Sequence, residues 1–269
     1  MTIMPSSKKT DELRAPGALR MALEWRAPWE LGAGIAALPL LSLAPQGDGH
    51  PVLVFPGLIA SDMSTDLLRR YLKGQNYAAK SWNLGRNLGP RPGVLEACER
   101  HVETLHTRYG RKVSLIGWSL GGVYARETAK KCAARVRSVI TLGSPFAGTP
   151  RATNAWRVYE LASGERIDDR RDWDEIRQAP PVPTTSIYSR TDGIVAWQLS
   201  HQEPGPQTEN IEVEASHVGL GVHPAVLYAI ADRLSQPEGQ WKPFDRSGLR
   251  QVVYRDPQAA DWFPSSCLL

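Results

Sequence analysis

The feature that most constrains this chain is a strand-to-helix junction built around a serine. The apolar run VSLIG, residues 113–117, predicts a buried strand, and residues 120 to about 134 predict a helix. The junction reads GWSLGG, with Gly117 and Gly121 two positions before and after Ser119. Small residues there let the strand and helix approach closely and hold the serine hydroxyl above a sheet. Ser119 is therefore either a nucleophile or only a small residue in a tight turn.

Strand and helix patterns alternate along most of the chain. Apolar runs predict six strands, at residues 51–55, 78–82, 113–117, 136–142, 184–189 and 211–216. Helical spacing of apolar residues predicts helices between them. Such alternation predicts an α/β fold with a mostly parallel six-stranded sheet and helices on both faces. With 269 residues, the chain fits a single domain, 1–269, in which residues 1–49 form an N-terminal extension.

Residues 146–183 interrupt this alternation. The segment is rich in Arg, Asp, Trp and Pro and contains one amphipathic stretch, residues 156–161. We interpret it as a short inserted cap. An amphipathic helix in such a cap would suit a lid at a lipid–water interface.

The most apolar run of the chain is LGAGIAALPLLSLAP, residues 31–45. It is shorter than the roughly 20 apolar residues that span a bilayer. It begins late and follows Glu24 and Glu30, which a signal peptide would not do. The run is either a helix packed on the body of the domain, which we favour, or a surface that touches lipid or substrate.

Charge and cysteine content limit the partners and the compartment. The net charge is +4, but the basic residues are scattered among acidic ones, which argues against nucleic-acid binding. This charge permits weak contact with anionic membranes without demonstrating it. Cys98, Cys132 and Cys267 are far apart and form no C-x-x-C pair, so neither a zinc site nor a disulfide framework is predicted. We expect a reducing, cytoplasmic location, and the oligomeric state stays open.

A nucleophilic serine needs a base, and the base needs an acid that orients it. Asp192 follows the fifth predicted strand, and His217 follows the sixth. Both therefore lie at the carboxyl ends of parallel strands, where crevices form in such sheets. They also come in the order serine, acid, histidine that this type of site requires. Because Asp-Gly is a common turn pair, Asp192 is either the acid or only a turn residue.

Other titratable residues fit this pattern less well. His223 stands before a proline at a predicted helix entry and is the second candidate base. The remaining histidines fall before the first strand, within a helix or in a loop, and the remaining aspartates fall in the charged cap segment. These residues are His50, His101, His106, His201, Asp169, Asp172 and Asp174.

The same chemistry needs backbone N–H groups that bind an oxyanion. One donor should be Leu120, the residue after the nucleophile, and the other should lie in the loop after the first strand, which reads FPGLIAS. Pro56 has no N–H, and Gly57 lets the backbone turn sharply. Leu58 is our preferred donor, with Gly57 and Ile59 as alternatives.

The ordered set FPGLIAS, GWSLGG, TLGSPFAGT, SRTDGIV and SHVGLG resembles the α/β-hydrolase superfamily. It looks closest to the compact bacterial lipases and esterases that lack the first two strands of the full fold. The resemblance covers about residues 50–235. It implies the following roles: Ser119 nucleophile, His217 base, Asp192 acid, Leu58 and Leu120 oxyanion donors. Many members of the superfamily have His-Gly at the start of the oxyanion loop, where this chain has Pro-Gly.

This resemblance implies a serine esterase or lipase that acts on a small-molecule or lipid ester and needs no metal or organic cofactor. The same three residues would also serve an acyltransferase or thioesterase, and a non-catalytic binding protein can share the fold. Apolar residues that flank the site in sequence are candidates for an acyl pocket, although each is as readily expected in the core. These candidates are Leu58, Trp118, Phe146, Val195, Trp197 and Val218.

Overall fold

The computed structural model describes residues 13–164, 166–167 and 173–257. At its centre is one sheet of six strands: β1 (Pro51–Phe55), β2 (Ala78–Ser81), β3 (Val113–Trp118), β4 (Val136–Leu142), β5 (Thr184–Tyr188) and β6 (Thr208–Glu212). The strand order is β2-β1-β3-β4-β5-β6, and every neighbouring pair is parallel. The predicted six-stranded α/β architecture is confirmed, and the sheet is wholly parallel.

Helices cover both faces of this sheet. They are α1 (Ala18–Leu23), α2 (Ala27–Leu41), α3 (Asp66–Gly74), α4 (Val94–Tyr109), α5 (Leu120–Lys131), α6 (Trp156–Ser163), α7 (Trp173–Arg177), α8 (Pro224–Ser235) and α9 (Arg250–Val253). Short 3₁₀ turns lie at Glu24–Arg26, Asp62–Thr65, Ala133–Arg135, Pro150–Ala152, Trp197–Ser200 and Gly219–Gly221. The helix predicted after Ser119 ends at Lys131, because Cys132 leaves the helical conformation.

Side-chain alternation along the strands builds two separate cores. Val52 and Val54 of β1 face one side of the sheet, where α2, α3 and α8 pack. Leu53 and Phe55 face the other side, where α4 and α5 pack. Because both faces are covered, β1 and β3 are near-continuous apolar runs rather than alternating ones. The sequence therefore predicts the bounds of β1 correctly.

The register of the sheet brings the carboxyl ends of its central strands level. Gly117 of β3 lies opposite Phe55 of β1, and Trp118 lies opposite Leu142 of β4. Leu142 in turn lies opposite Ile187 of β5. The loops that follow these strands therefore meet at one end of the sheet, which is where open α/β sheets bind their ligands.

The last strand differs from its prediction. β6 ends at Glu212, whereas the sequence predicts a strand over residues 211–216. Ser216 donates its backbone N–H to the carboxylate of Glu30 (2.9 Å) instead of to a neighbouring strand. The residues that lead to the candidate base therefore form a loop that a side chain from the N-terminal extension holds.

Residues 18–41 of the N-terminal extension are helical and lie on the body of the domain. One face of α2 packs on α8 and is so close to the following loop that a β-carbon at Gly34 would lie 2.2 Å from Val222 O. The exposed face of residues 19–43 carries these large apolar side chains: Leu19, Met21, Leu23, Trp25, Trp29, Leu31, Ile35, Leu40 and Leu43. Contact of this face with lipid stays a prediction. In the described part of the chain, no helix is long and apolar enough to cross a membrane.

Candidate active site

Ser119 occupies the junction between β3 and α5. Its backbone has φ 53° and ψ −126°, a conformation that residues other than glycine rarely adopt. Two hydrogen bonds hold the turn: Ser119 N–H donates to Leu142 O (2.8 Å), and Gly122 N–H donates to Ser119 O (2.9 Å). Strained backbone of this kind persists only where its surroundings fix it, and it clusters at functional sites.

Two glycines make this junction possible. A β-carbon at Gly117 would lie 2.3 Å from Gly121 O, and a β-carbon at Gly121 would lie 2.5 Å from Phe55 O. These neighbours are backbone atoms, which cannot swing aside as the end of a flexible side chain can. Even alanine at either position would push β3, α5 and the loop after β1 apart. The glycines of GWSLGG are thus required for packing, whatever the chemistry of the serine.

His217 and Asp192 form a buried, hydrogen-bonded pair. His217 Nδ1 lies 2.6 Å from Asp192 Oδ2. The other carboxylate oxygen accepts the N–H groups of Ile194 and Val195, both at 2.8 Å. The turn after Asp192 therefore fixes the carboxylate, and the carboxylate fixes the imidazole. This arrangement assigns the Asp192-bound proton to Nδ1 and leaves Nε2 outside the pair.

The surroundings of His217 also set its proton affinity. Burial alone would lower the pKa of His217, but the charge and hydrogen bond of Asp192, with the charge of Glu24, raise it above the ordinary value of 6.5. A raised pKa makes the neutral imidazole a stronger base toward a serine hydroxyl. It also means that the imidazole takes up a proton at a higher pH than free histidine does.

The ends of β3 and β4 bring Ser119 beside this pair. Trp118, the residue before the serine, donates its Nε1–H to His217 O (3.1 Å). Gly143 follows β4 with φ 54°, and a β-carbon there would lie 3.2 Å from Asp192 Oδ2 and from His217 Nδ1. The hydrogen bonds of the described residues include none between Ser119 Oγ and His217 Nε2. Catalytic hydrogen bonds are often long without substrate and tighten when it binds.

The loop after β1 lies directly against the serine. A β-carbon at Gly57 would be 3.3 Å from Ser119 Cβ. Ile59 donates its N–H to a backbone carbonyl, which removes it as an oxyanion donor. Within residues 13–164, 166–167 and 173–257, no protein acceptor binds the N–H of Leu58 or Leu120. Both residues line the cavity beside Ser119, so they remain our preferred pair of donors.

Asn87 braces this loop from the Gly/Pro-rich segment after β2. Its Nδ2 donates to Pro56 O (2.8 Å), its backbone N–H donates to Ala60 O (2.9 Å), and its carbonyl accepts the N–H of Ile59 (2.6 Å). The residue is fully buried. Sequence analysis finds only a loop here, because a single asparagine gives no sign of which distant backbone it holds.

A small, mostly apolar cavity of about 50 Å³ adjoins Ser119. It is lined by Leu58, Ser119, Leu120, Val123, Pro145, Pro150, Thr153, Ala155, Tyr159, Ile176 and Val195. Five of these residues belong to the 146–183 segment, which therefore covers the serine as a cap would. A larger, open cleft of about 690 Å³ lies between residues 174–182 and 202–208. The described residues of its lining include no serine or histidine.

Leu58 and Val195 are the predicted pocket residues that line this cavity. The other four candidates do not line this cavity: Trp118, Phe146, Trp197 and Val218. Proximity in sequence to a catalytic residue does not say toward which side of the sheet a side chain points. Val218, for example, directly follows the candidate base, yet its side chain is exposed.

The three aromatic residues pack elsewhere for identifiable reasons. Trp118 shares a strand face with Ile116 and packs against the core on the α2 and α8 side. Phe146 is fully buried beneath Arg126, whose guanidinium carbon lies 3.8 Å from the ring centroid. Trp197 stacks on Tyr188, with 5.7 Å between ring centroids. Each ring therefore contributes to packing around the site and not to the cavity wall.

The alternative titratable residues have other surroundings. His223 caps α8, since its Nδ1 accepts the N–H of Ala225 (3.3 Å). His201 packs edge-on against an aromatic pair. His101 and His106 bind backbone carbonyls near their own helix, and Asp174 is exposed on α7. Asp169 and Asp172 lie outside the described residues. Among the described His, Cys, Asp and Glu side chains, no group of three is placed to hold a metal ion.

A second Ser–His–Asp chain lies at the amino end of the strands. His50 Nδ1 is 2.6 Å from Asp48 Oδ1, and His50 Nε2 is 2.9 Å from Ser114 Oγ. His50 and Ser114 are fully buried, and burial lowers the pKa of His50. A substrate cannot reach Ser114, so we interpret this chain as a structural link between β1 and β3.

Two glutamates of the N-terminal extension also reach the candidate site. Glu24 accepts backbone N–H groups from the loops that carry Asp192 and His217, and Glu30 accepts the N–H of Ser216. Sequence analysis does not find this role. The only signal available is that these two acids stand almost alone in an otherwise apolar segment, where a carboxylate needs a specific partner.

A wholly parallel sheet with helices on both faces and a strained serine between a strand and a helix defines the class of α/β hydrolases. Residues 15–256 match the Alpha/beta hydrolase family, and the chain belongs to that family. The match extends beyond the residues 50–235 that carry the resemblance in sequence. No curated protein sequence matches the chain.

Solved structures share this fold at low sequence identity. Aspergillus fumigatus lipase B aligns with a TM-score of 0.57 and 17% identity over 72% of this chain, which spans only 54% of that enzyme. A probable hydrolytic enzyme from Pseudomonas aeruginosa gives 0.53 and 13%, covering 72% of this chain and 88% of its own. A monoacylglycerol lipase from Paleococcus ferrophilus gives 0.51 and 15%, covering 71% and 96%. At these identities the similarity shows the fold alone.

Proposed function

We propose that this protein is a serine hydrolase of carboxylic esters, an esterase or lipase, with Ser119 as nucleophile, His217 as base and Asp192 as acid. The observation that carries the proposal is the buried His217–Asp192 pair, 2.6 Å between Nδ1 and Oδ2, at the strand ends beside the strained serine. The adjoining apolar cavity, which Leu58 and Leu120 help to line, suits an acyl group and its carbonyl oxygen.

The proposed reaction begins when His217 Nε2 takes the proton of Ser119 as its Oγ attacks the ester carbonyl. The carbonyl oxygen becomes an oxyanion, which the N–H groups of Leu58 and Leu120 stabilise. The positive end of the α5 dipole adds to this effect. Asp192 stabilises the imidazolium without taking its proton.

The second half of the reaction reverses the direction of proton transfer. The imidazolium of His217 gives its proton to the leaving alcohol, and the acyl group stays on Ser119. Water then gives a proton to His217 and attacks the acyl-enzyme, and the carboxylic acid leaves as the serine regains its proton. The loss of one oxyanion donor costs such enzymes roughly a hundredfold or more in kcat.

A fluorophosphonate probe tests the proposal directly. We expect the folded protein to lose ester-hydrolysing activity as one probe molecule attaches to Ser119, because only an activated serine attacks the phosphorus centre rapidly. Peptide mass spectrometry locates the adduct. Protein unfolded in urea serves as the control and should not react. If folded protein stays unlabelled, or if the adduct lies on another serine, the proposal is wrong.

The volume of the cavity predicts a preference for short acyl groups. A cavity of about 50 Å³ holds roughly four water molecules, which is too little for a long chain. We expect kcat/KM to stop rising with acyl length beyond the short chains that fit, so the palmitate ester should be no better a substrate than 4-nitrophenyl butyrate. A methylene kept out of the cavity gains none of the about 0.8 kcal/mol that its burial would contribute.

Ile176 offers a matched test of this preference. Ile176→Ala enlarges the cavity and should raise the octanoate-to-butyrate ratio of kcat/KM about fourfold for each methylene that the new space admits. Val158→Ala removes an exposed apolar group from α6 of the same cap and should leave the ratio unchanged. Equal ratios in the native protein and both variants would contradict the assignment of this cavity to the acyl group.

A further inference from the structure

Glu24 connects the two loops that carry the acid and the base of the candidate site. Its Oε1 accepts the N–H of Gly193, next to Asp192, at 2.8 Å. The same oxygen accepts the N–H of His217 at 2.8 Å, and Oε2 accepts the N–H of Val218 at 3.1 Å. One carboxylate from the N-terminal extension therefore binds three backbone donors that belong to two different loops.

The fit between the N-terminal extension and these loops is too close for larger residues. A β-carbon at Gly193 would lie 2.3 Å from Arg20 O, a backbone atom of α1. A β-carbon at Gly219 would overlap the carboxylate of Glu30, at 1.8 Å from Oε2. The glycines next to the acid and near the base thus provide the space that the extension occupies.

Neighbouring side chains support the same contact. Glu30 binds both the N–H and the hydroxyl of Ser216 and also accepts a hydrogen bond from Arg26 (3.0 Å). Arg26 donates in turn to Thr191 Oγ1 (2.6 Å), on the acid loop. The extension therefore binds the residues immediately before Asp192 and His217 as well as those immediately after them.

We propose that Glu24 is a positioning residue, which holds the backbone of the base loop and of the acid loop at the separation that the His217–Asp192 hydrogen bond requires. The proposal rests on the proposed function, since it assigns Glu24 a part in the work of that site. Hydrogen bonds to an ionised acceptor are roughly twice as strong as neutral ones. A displacement of about 1 Å at a catalytic group can cost about a hundredfold in rate.

The charge of Glu24 affects the pKa of His217, which a contact that acts by packing alone would not do. Two carboxylates face His217: Asp192 from the loop after β5, and Glu24 from the N-terminal extension. Arg26 and Glu30 form an ion pair beside Ser216, the residue before His217. The end of β3 contributes Trp118, which is uncharged. The negative charge of Glu24 helps to raise the pKa of His217. Removal of that charge should therefore lower this pKa.

Two variants separate the effect of the charge of Glu24 from the effect of the length of its side chain. Glu24→Gln keeps the length of the side chain but removes its charge. Its amide NH₂ cannot accept a hydrogen bond, so one backbone N–H group loses its acceptor. Glu24→Asp keeps the charge but shortens the side chain by about 1.5 Å, so that it cannot bind all three donors. We expect both to lower kcat at the alkaline plateau by about tenfold or more. Only Glu24→Gln should shift the acid limb of the pH profile, the rise of kcat/KM as His217 loses its proton, to lower pH.

The control is Glu96→Gln, which removes an exposed carboxylate from α4 and should change neither quantity. Circular dichroism at the assay temperature measures the folded fraction. A plateau kcat within twofold of the native value in both variants, with the acid limb unmoved, would overturn the proposal. So would a loss that equals the loss of folded protein.

A measurement without turnover keeps this test apart from the test of the proposed function. In protein carrying Ser119→Ala, NMR can follow the titration of the His217 imidazole with and without Glu24→Gln. We expect the titration midpoint to fall when Glu24 is replaced, and an unchanged midpoint would contradict the inference. If native protein neither hydrolyses esters nor reacts with the fluorophosphonate, the proposed function fails instead, whatever this midpoint does.

Discussion

Ser119→Ala is expected to lower kcat for a soluble short-chain ester by about 10⁴-fold or more. Alanine fills the same position without the oxygen that attacks the carbonyl, so the reaction can proceed only by direct attack of water. The substitution leaves Gly117, Gly121 and their contacts intact, so the fold should persist. The measurement is the initial rate of hydrolysis of 4-nitrophenyl butyrate, with the folded fraction determined by circular dichroism.

The matched control for this variant is Ser114→Ala. Ser114 is the serine that lies beside a histidine at the other end of the strands, with its Oγ 2.9 Å from His50 Nε2. We expect Ser114→Ala to reduce stability by about 1 to 3 kcal/mol, because it leaves a buried imidazole nitrogen without its partner. Its kcat per folded molecule should not change. A variant of Ser119 that keeps more than a few per cent of native activity would show that the nucleophile lies elsewhere.

His217→Ala is expected to have an effect of similar size. Without the imidazole, no group takes the serine proton as Oγ attacks, and none protonates the leaving alcohol. Because serine and histidine act as a unit, the double variant with Ser119→Ala should be no slower than either single variant. His50→Ala is the control: it should destabilise the protein and leave kcat per folded molecule unchanged. Additive losses in the double variant would contradict a shared mechanism.

The pH dependence of the native protein follows from the same residue. The base must be neutral to accept a proton, so kcat/KM should rise with pH as His217 loses its proton. Since Asp192 and Glu24 raise the pKa of His217, the midpoint of this rise should lie above the ordinary histidine value of 6.5. A pH–rate profile from pH 5 to 9 measures it. A midpoint below 6.5 would mean that another group controls the rate.

The fold and the order of the candidate catalytic residues could be predicted because their signals are local. VLVF and VSLIG are buried on both faces, and they read as the near-continuous apolar runs that such strands favour. The elbow depends on glycines two positions from Ser119, which is again a local constraint. The order of acid and base then follows from the order of the strands.

The parts of the site that sequence analysis missed depend on contacts between distant residues. Glu24 lies 169 residues before Gly193, and nothing near it in sequence indicates that partner. Asn87 has the same property, since it binds Pro56, 31 residues earlier. The direction of a side chain is a second property that could not be predicted from the sequence. Strand alternation places Trp118 on the same side as Ile116, away from the cavity, whereas sequence proximity alone suggests a pocket residue.

The chain through Asp48, His50 and Ser114 bears on how enzymes of unknown activity are recognised from coordinates. A search with a three-residue template would find this set, because its two hydrogen bonds, 2.6 and 2.9 Å, have catalytic lengths. The set around Ser119 would score worse, since its serine makes no such bond to histidine among the described residues. Ser119 differs from Ser114 in lining a cavity and in its strained backbone, whereas Ser114 is fully buried. Access and backbone conformation, and not hydrogen-bond length, are therefore the features that separate the two serines.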